Sequence, residues 1–160
     1  MADQTQSKIP RDVKVLSWVS FFADVSSEMV YPVIPIFVTQ VLKAPAAALG
    51  FSEGLAEAIV SFVKGWSGWH SDKSGKRMPY VRWGYGLSAL GKALIAPATH
   101  WPLVTGARSL DRFGKGIRGS ARDALIADAA DPENMGRAFG YHRMLDTAGA
   151  VVGVLSGYAL

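Results

Sequence analysis

Gly68-Trp69-His70-Ser71-Asp72-Lys73-Ser74-Gly75-Lys76-Arg77 is the stretch on which the fold is decided. Its glycines permit a tight reversal, and a carboxylate with a basic cluster marks a helix end. Alone it reads as solvated charge, so its meaning comes from its flanks. Ahead of it lie apolar segments at about 14–42 and 48–70, and behind it others at about 79–99, 101–127 and 137–160. Each is near the ~20 residues that a helix needs to cross a bilayer core. Turn material separates them at Ala44-Pro45, Ser71 to Arg77, Thr99 to Pro102 and Asp131 to Gly136. Pro32 and Pro35 are expected kink points in the first segment.

Composition bounds the chemistry. The 160 residues leave room for one domain, and 49% hydrophobic content with 19% charge is too apolar for disorder. The chain folds or inserts. With no cysteine, a disulfide framework, a thiolate nucleophile and a cysteine zinc site are excluded, and three scattered histidines make no metal cluster. No cofactor is implied. The net charge of +4 points to an anionic neighbour: a nucleic acid, a phosphate ligand or a lipid surface.

Hydropathy alone does not choose among these, because the mean is only +0.17 and no window of about 18 residues is free of charge. The placement of the charges does. In the first segment Ser17, Ser20, Asp24, Ser27, Glu28 and Tyr31 share an arc of about 100°, with apolar residues around the remainder. Basic residues collect at alternate turns: Lys8, Arg11 and Lys14, then Lys73, Lys76, Arg77 and Arg82, then Arg118, Arg122, Arg137 and Arg143. The intervening turns hold Lys43 and, near Thr99-His100-Trp101, no Lys or Arg. That alternation is the positive-inside pattern of a polytopic membrane protein with a cytoplasmic N-terminus.

The loop resembles the signature between helices 2 and 3 of the major facilitator superfamily, Gly-x-x-x-Asp-(Arg/Lys)-x-Gly-(Arg/Lys)-(Arg/Lys). Gly68, Asp72, Lys73, Gly75, Lys76 and Arg77 match every defining position. The resemblance implies an all-α polytopic helix bundle, here an incomplete N-terminal six-helix half of that fold. It also implies a gating loop in which Asp72 anchors the turn to neighbouring helix ends. Arg112-x-x-x-Gly116 resembles the family's fourth-helix arginine motif, placed to meet substrate or proton-carrying carboxylates. Gly149, Gly153 and Gly157 repeat at i+4, a stripe that lets membrane helices approach closely. They resemble the glycine-rich fifth helix common among antiporters, although the usual Gly-Pro pair is absent.

The fourth segment carries Arg108, Asp111, Arg112, Lys115, Arg118, Arg122 and Asp123 within about 140° of arc. Inserting the charges from Arg108 to Arg118 costs on the order of 15 kcal/mol, far above the ~2–3 kcal/mol returned by its apolar residues. Such a helix needs a water-filled cavity and carboxylate partners. Asp24 and Glu28, with Arg143 and Asp146 on the fifth segment, are the expected partners. Arg118 and Arg122 also read as positive charge at a cytoplasmic helix end. Gly114-Lys115-Gly116-Ile117-Arg118-Gly119 satisfies a dinucleotide fingerprint, but no β-branched strand precedes it.

The expected protein is therefore integral to a membrane, a bacterial inner membrane by the resemblance, with residues 1–12 as a cytoplasmic tail. It moves a small or ionic solute by alternating access, with proton coupling, antiport being the mode the fifth helix suggests. Its expected partners are the bilayer, the substrate and the remainder of the transporter, since Gly157-Tyr-Ala-Leu160 reads as ending within a span. Nucleic acid is not among them. Two other classes fit parts of the pattern: a soluble basic helical nucleotide- or nucleic-acid-binding module, and a non-transporting membrane partner subunit.

Overall fold

The computed structural model describes residues 9–159, and among these it is all-helical. The expected polar tail lies outside the described residues as far as residue 8, and α1 starts at Arg11. The order is α1 (Arg11–Val30), α2 (Val33–Ile36) running into a π-helical turn (Phe37–Val41), α3 (Ala46–Ser74), α4 (Met78–Ile95), α5 (Trp101–Ala129), a 3-10 turn (Pro132–Asn134) and α6 (Met135–Ala159). Proline starts most of these. Pro10 and Pro45 immediately precede α1 and α3, and Pro79 and Pro102 occupy the first turns of α4 and α5, where a missing N–H removes nothing the helix would have used.

The first span breaks at Tyr31-Pro32 and resumes as α2. Beyond Pro35 the ladder widens into the π turn, and Thr39 Oγ1 donates to the Pro35 carbonyl at 2.7 Å. α3 runs further than the turn expected from Ser71 onward. It holds Gly68, Asp72 and Lys73 in its last turns and stops only at Gly75, whose φ of 63° is left-handed. The Gly75 N–H then donates to the Ser71 carbonyl at 3.0 Å, closing the helix end. The reversal is thus Gly75-Lys76-Arg77, because only the second glycine is needed to leave the helix.

α5 packs along α3 on one side and α4 on the other, and α1 packs along α6. The glycine stripe makes the second pairing close. An added Cβ at Gly149 or Gly153 would lie 2.6 Å from the carbonyl oxygen of Phe21 or Val25, and one at Gly157 would press on that of Met29. The stripe advances by four on both helices, so the backbones run in register.

Two apolar clusters close the bundle at its ends. One joins Val13, Leu16, Val81, Ala121, Ile126 and Ala138, and the other joins Ile34, Val38, Ala48, Ala98 and Val104. The outside is apolar too: Phe62 is 77% exposed, Trp83 70% and Tyr158 78%. The helices Arg11–Val41 and Ala46–Ser74 are long and apolar enough to cross a bilayer. Asp24, Arg108, Arg118 and Arg122 are instead buried inside, which inverts the pattern of a water-soluble domain.

Candidate functional site: an ion-paired layer between the apolar ends

α1 and α5 bring their polar faces together in the middle of the bundle. Asp24, 8% exposed, lies 3.7 Å from Lys115 Nζ and 3.7 Å from Arg118 Nη2. Glu28, one turn on, reaches Lys115 at 3.9 Å. Arg118 is 1% exposed, and its guanidinium stands 4.4 Å over the ring of Tyr85 on α4. Tyr85 Oη and Ser20 Oγ are hydrogen-bonded at 2.8 Å, and Arg122 Nη1 donates to the same Ser20 oxygen at 2.9 Å.

α6 supplies the other wall. Asp146 receives Arg122 at 3.5 Å and Arg143 at 3.8 Å, and both arginines also reach Asp123, at 3.1 and 3.6 Å. His142 is fully buried, with Nδ1 3.3 Å from Ser17 Oγ and Nε2 3.4 Å from Asp146. Asp24, Lys64, Lys115, Arg118, Arg122, Arg143 and Asp146 enclose a cavity of about 230 Å³.

The remaining charges of α5 pair elsewhere. Arg108 Nη2 binds both oxygens of Glu53 on α3, at 2.6 and 2.7 Å, and lies near the Tyr31 ring. Asp111 accepts from Ser88 and has Lys92 Nζ at 4.0 Å, while Lys92 also donates to Ser27 at 2.9 Å. Arg112 is half-buried and, among the described residues, has no ion pair or hydrogen bond. Of the two arginines, it is Arg118 that reaches Asp24, at 3.7 Å.

At the α3–α4 turn, Arg77 bonds Asp128 near the end of α5 at 2.6 Å and Asp72 at 3.5 Å. The tie between the turn and a neighbouring helix thus runs through Arg77, with Asp72 bracing it. Lys73 lies over Trp69, and the Lys76 N–H donates to Ser74 Oγ at 3.4 Å.

Tyr85, His142 and Arg118 in this layer, and Glu53 and Lys92 in the pairs beside it, were not among the expected site residues. A lone histidine or tyrosine in an apolar run gives little signal, but Arg118 at the edge of a charged arc is a signal open to either reading.

A helical bundle with an apolar exterior and an ion-paired interior defines a polytopic integral membrane protein. The chain belongs to the Major Facilitator Superfamily, whose family model matches residues 16–160. It is 36% identical over 151 residues to the uncharacterized MFS-type transporter MJ1317 of Methanocaldococcus jannaschii, covering 94% of this chain and 37% of that protein. It is 33% identical over 129 residues to the multidrug resistance protein MdtH of Photorhabdus laumondii, covering 81% and 32% respectively. The uncharacterized protein Rv2265 of Mycobacterium tuberculosis is 30% identical over 147 residues, covering 91% of this chain and 36% of that protein. The chain thus spans about a third of the length of the curated relatives it matches. No solved structure matches it.

Proposed function

We propose that this chain provides the first five spans of a proton-linked solute transporter working by alternating access. The spans are α1 with α2 and the π turn, then α3, α4, α5 and α6, with the N-terminus and the Gly75–Arg77 turn on the cytoplasmic side of a bacterial inner membrane. The observation that carries the reading is Asp24, a buried carboxylate within 3.7 Å of two cations on the facing helix. Ionised, it holds Lys115 and Arg118; protonated, it lets them go. A proton is therefore exchanged against an ion pair, and the two states differ in how α1 and α5 are joined. Glu28 supports the same switch through Lys115. Alternating access needs a second half to rock against this one.

The test is gradient-driven uptake or efflux by the full-length protein in vesicles with an imposed pH difference. Asp24→Asn is expected to abolish the response to the gradient, and Glu28→Gln to weaken it. Intact coupling in the double variant would reduce both residues to scaffold.

A further inference from the structure

The cavity between α1, α3, α5 and α6 has more positive charge than its own carboxylates satisfy. Its lining holds the five cations Lys64, Lys115, Arg118, Arg122 and Arg143 against the two carboxylates Asp24 and Asp146. Glu28 and Asp123 reach Lys115, Arg122 and Arg143 from its edge, and one cation is still left over. Lys64 is exposed and, among the described residues, forms no ion pair. Arg118 is almost wholly buried, yet its Nη1 has no hydrogen-bond partner. An unsatisfied guanidinium nitrogen in a membrane interior is costly unless an anion meets it.

We propose that this cavity is a binding site for a small oxyanion head group, a carboxylate or a phosphate, carried on the transported solute. The proposal rests on the transporter reading above and adds the substrate class. At about 230 Å³ the space lies below the ~300–1,000 Å³ usual for whole drug-sized ligands, so it takes the charged end of a molecule. Lys64 at the exposed rim meets the anion first, and Arg118 Nη1 and Lys115 receive it at depth. The planar guanidinium fork suits either oxyanion.

The geometry also gives the sign of the coupling. Asp24 and the incoming anion use the same two cations, Lys115 and Arg118. Around Asp24 stand Glu28 on its own helix, Arg122 on α5, Tyr85 and Lys92 on α4, and His142, Arg143 and Asp146 on α6. Protonating Asp24 frees its cations for the anion, so proton and anion bind together. Co-transport follows, in place of the exchange that the glycine-rich fifth helix suggests by resemblance.

The test is equilibrium dialysis of the purified full-length protein with radiolabelled benzoate, radiolabelled inorganic phosphate and tetraphenylphosphonium as the cation control. At least one anion is expected to bind saturably, roughly fivefold or more tightly at acidic than at neutral pH. Lys64→Gln, an exposed change that leaves the fold alone, is expected to weaken that binding several-fold. Asp24→Asn is expected to bind the anion tightly at both pH values. Binding of the cation with neither anion, or anion binding that ignores both Lys64→Gln and Asp24→Asn, overturns the proposal. If the anions fail while the pH gradient still drives transport, the substrate class falls and proton linkage stands.

Discussion

Arg77 Nη1 lies 2.6 Å from the Asp128 carboxylate, so a residue of the α3–α4 turn is fastened to the end of α5. Asp72, 64% exposed, holds the other side of the same guanidinium at 3.5 Å. An exposed pair of that kind contributes about 0–1 kcal/mol. Arg77→Gln in the full-length protein is expected to slow turnover about tenfold, a barrier change near 1.4 kcal/mol, while substrate affinity stays nearly constant. Asp72→Asn is expected to slow it roughly threefold or less. Initial rates over a range of substrate concentrations separate the two quantities, and a loss of affinity with normal turnover would refute a gating role.

Arg118→Lys is expected to impair transport more than Arg112→Lys, by about tenfold or more, because a planar guanidinium both stacks on Tyr85 and reaches Asp24. Ammonium keeps the charge but loses the stacked plane. Transport rates and thermal midpoints of the two variants decide the matter. If Arg112→Lys proves the more damaging with an unchanged midpoint, the central positive charge belongs to Arg112.

Gly153→Val is expected to destabilise the bundle by about 1–3 kcal/mol, because its Cβ would lie 2.6 Å from the Val25 carbonyl oxygen. Gly86→Ala, with no neighbour within 4 Å of the added carbon, is the matched control. It is expected to leave stability unchanged or raise it by up to about 1 kcal/mol. Thermal unfolding in detergent reads both, and equal behaviour would mean that α1 and α6 do not pack through the stripe.

Topology is directly measurable because the chain has no cysteine of its own. Thr99→Cys is expected to react with an impermeant thiol reagent applied to intact cells. Ser74→Cys is expected to react only after the membrane is opened. The reverse pattern would invert the orientation.

The bundle was readable from sequence because helical periodicity places residues on faces. Asp24, Glu28, Lys115 and Asp146 meet because their arcs point inward, and that much the spacing contains. Depth is different. Arg118 sits at the edge of its arc beside the basic residues of a helix end, and by spacing alone it equals a topological flank. It is buried because Gly84 on α4 makes room: a Cβ there would stand 2.6 Å from the Cβ of Arg118. No periodicity within either helix reveals that pairing. The same holds for Glu53, which lies in the first half of α3 and finds Arg108 only through the crossing of α3 and α5. The end of α3 is illegible for a local reason, since two glycines in the signature each suggest a stop and only Gly75 takes a left-handed φ.

The two apolar clusters give the first span the mechanics of a beam clamped at both ends. Val13 and Leu16 are set in one clamp, Ile34 and Val38 in the other, and between them the beam touches α5 chiefly through charges. Charges can trade partners without any side chain being repacked, whereas the clamps cannot slip without opening apolar surface. The compliant point is the interruption at Tyr31-Pro32, close to one clamp, where the helical hydrogen-bond ladder is already broken. A change of charge at Asp24 is therefore expected to bend α1 about Pro32 together with α6, to which its middle is bound through Gly149, Gly153 and Gly157, with the ends of the bundle held still.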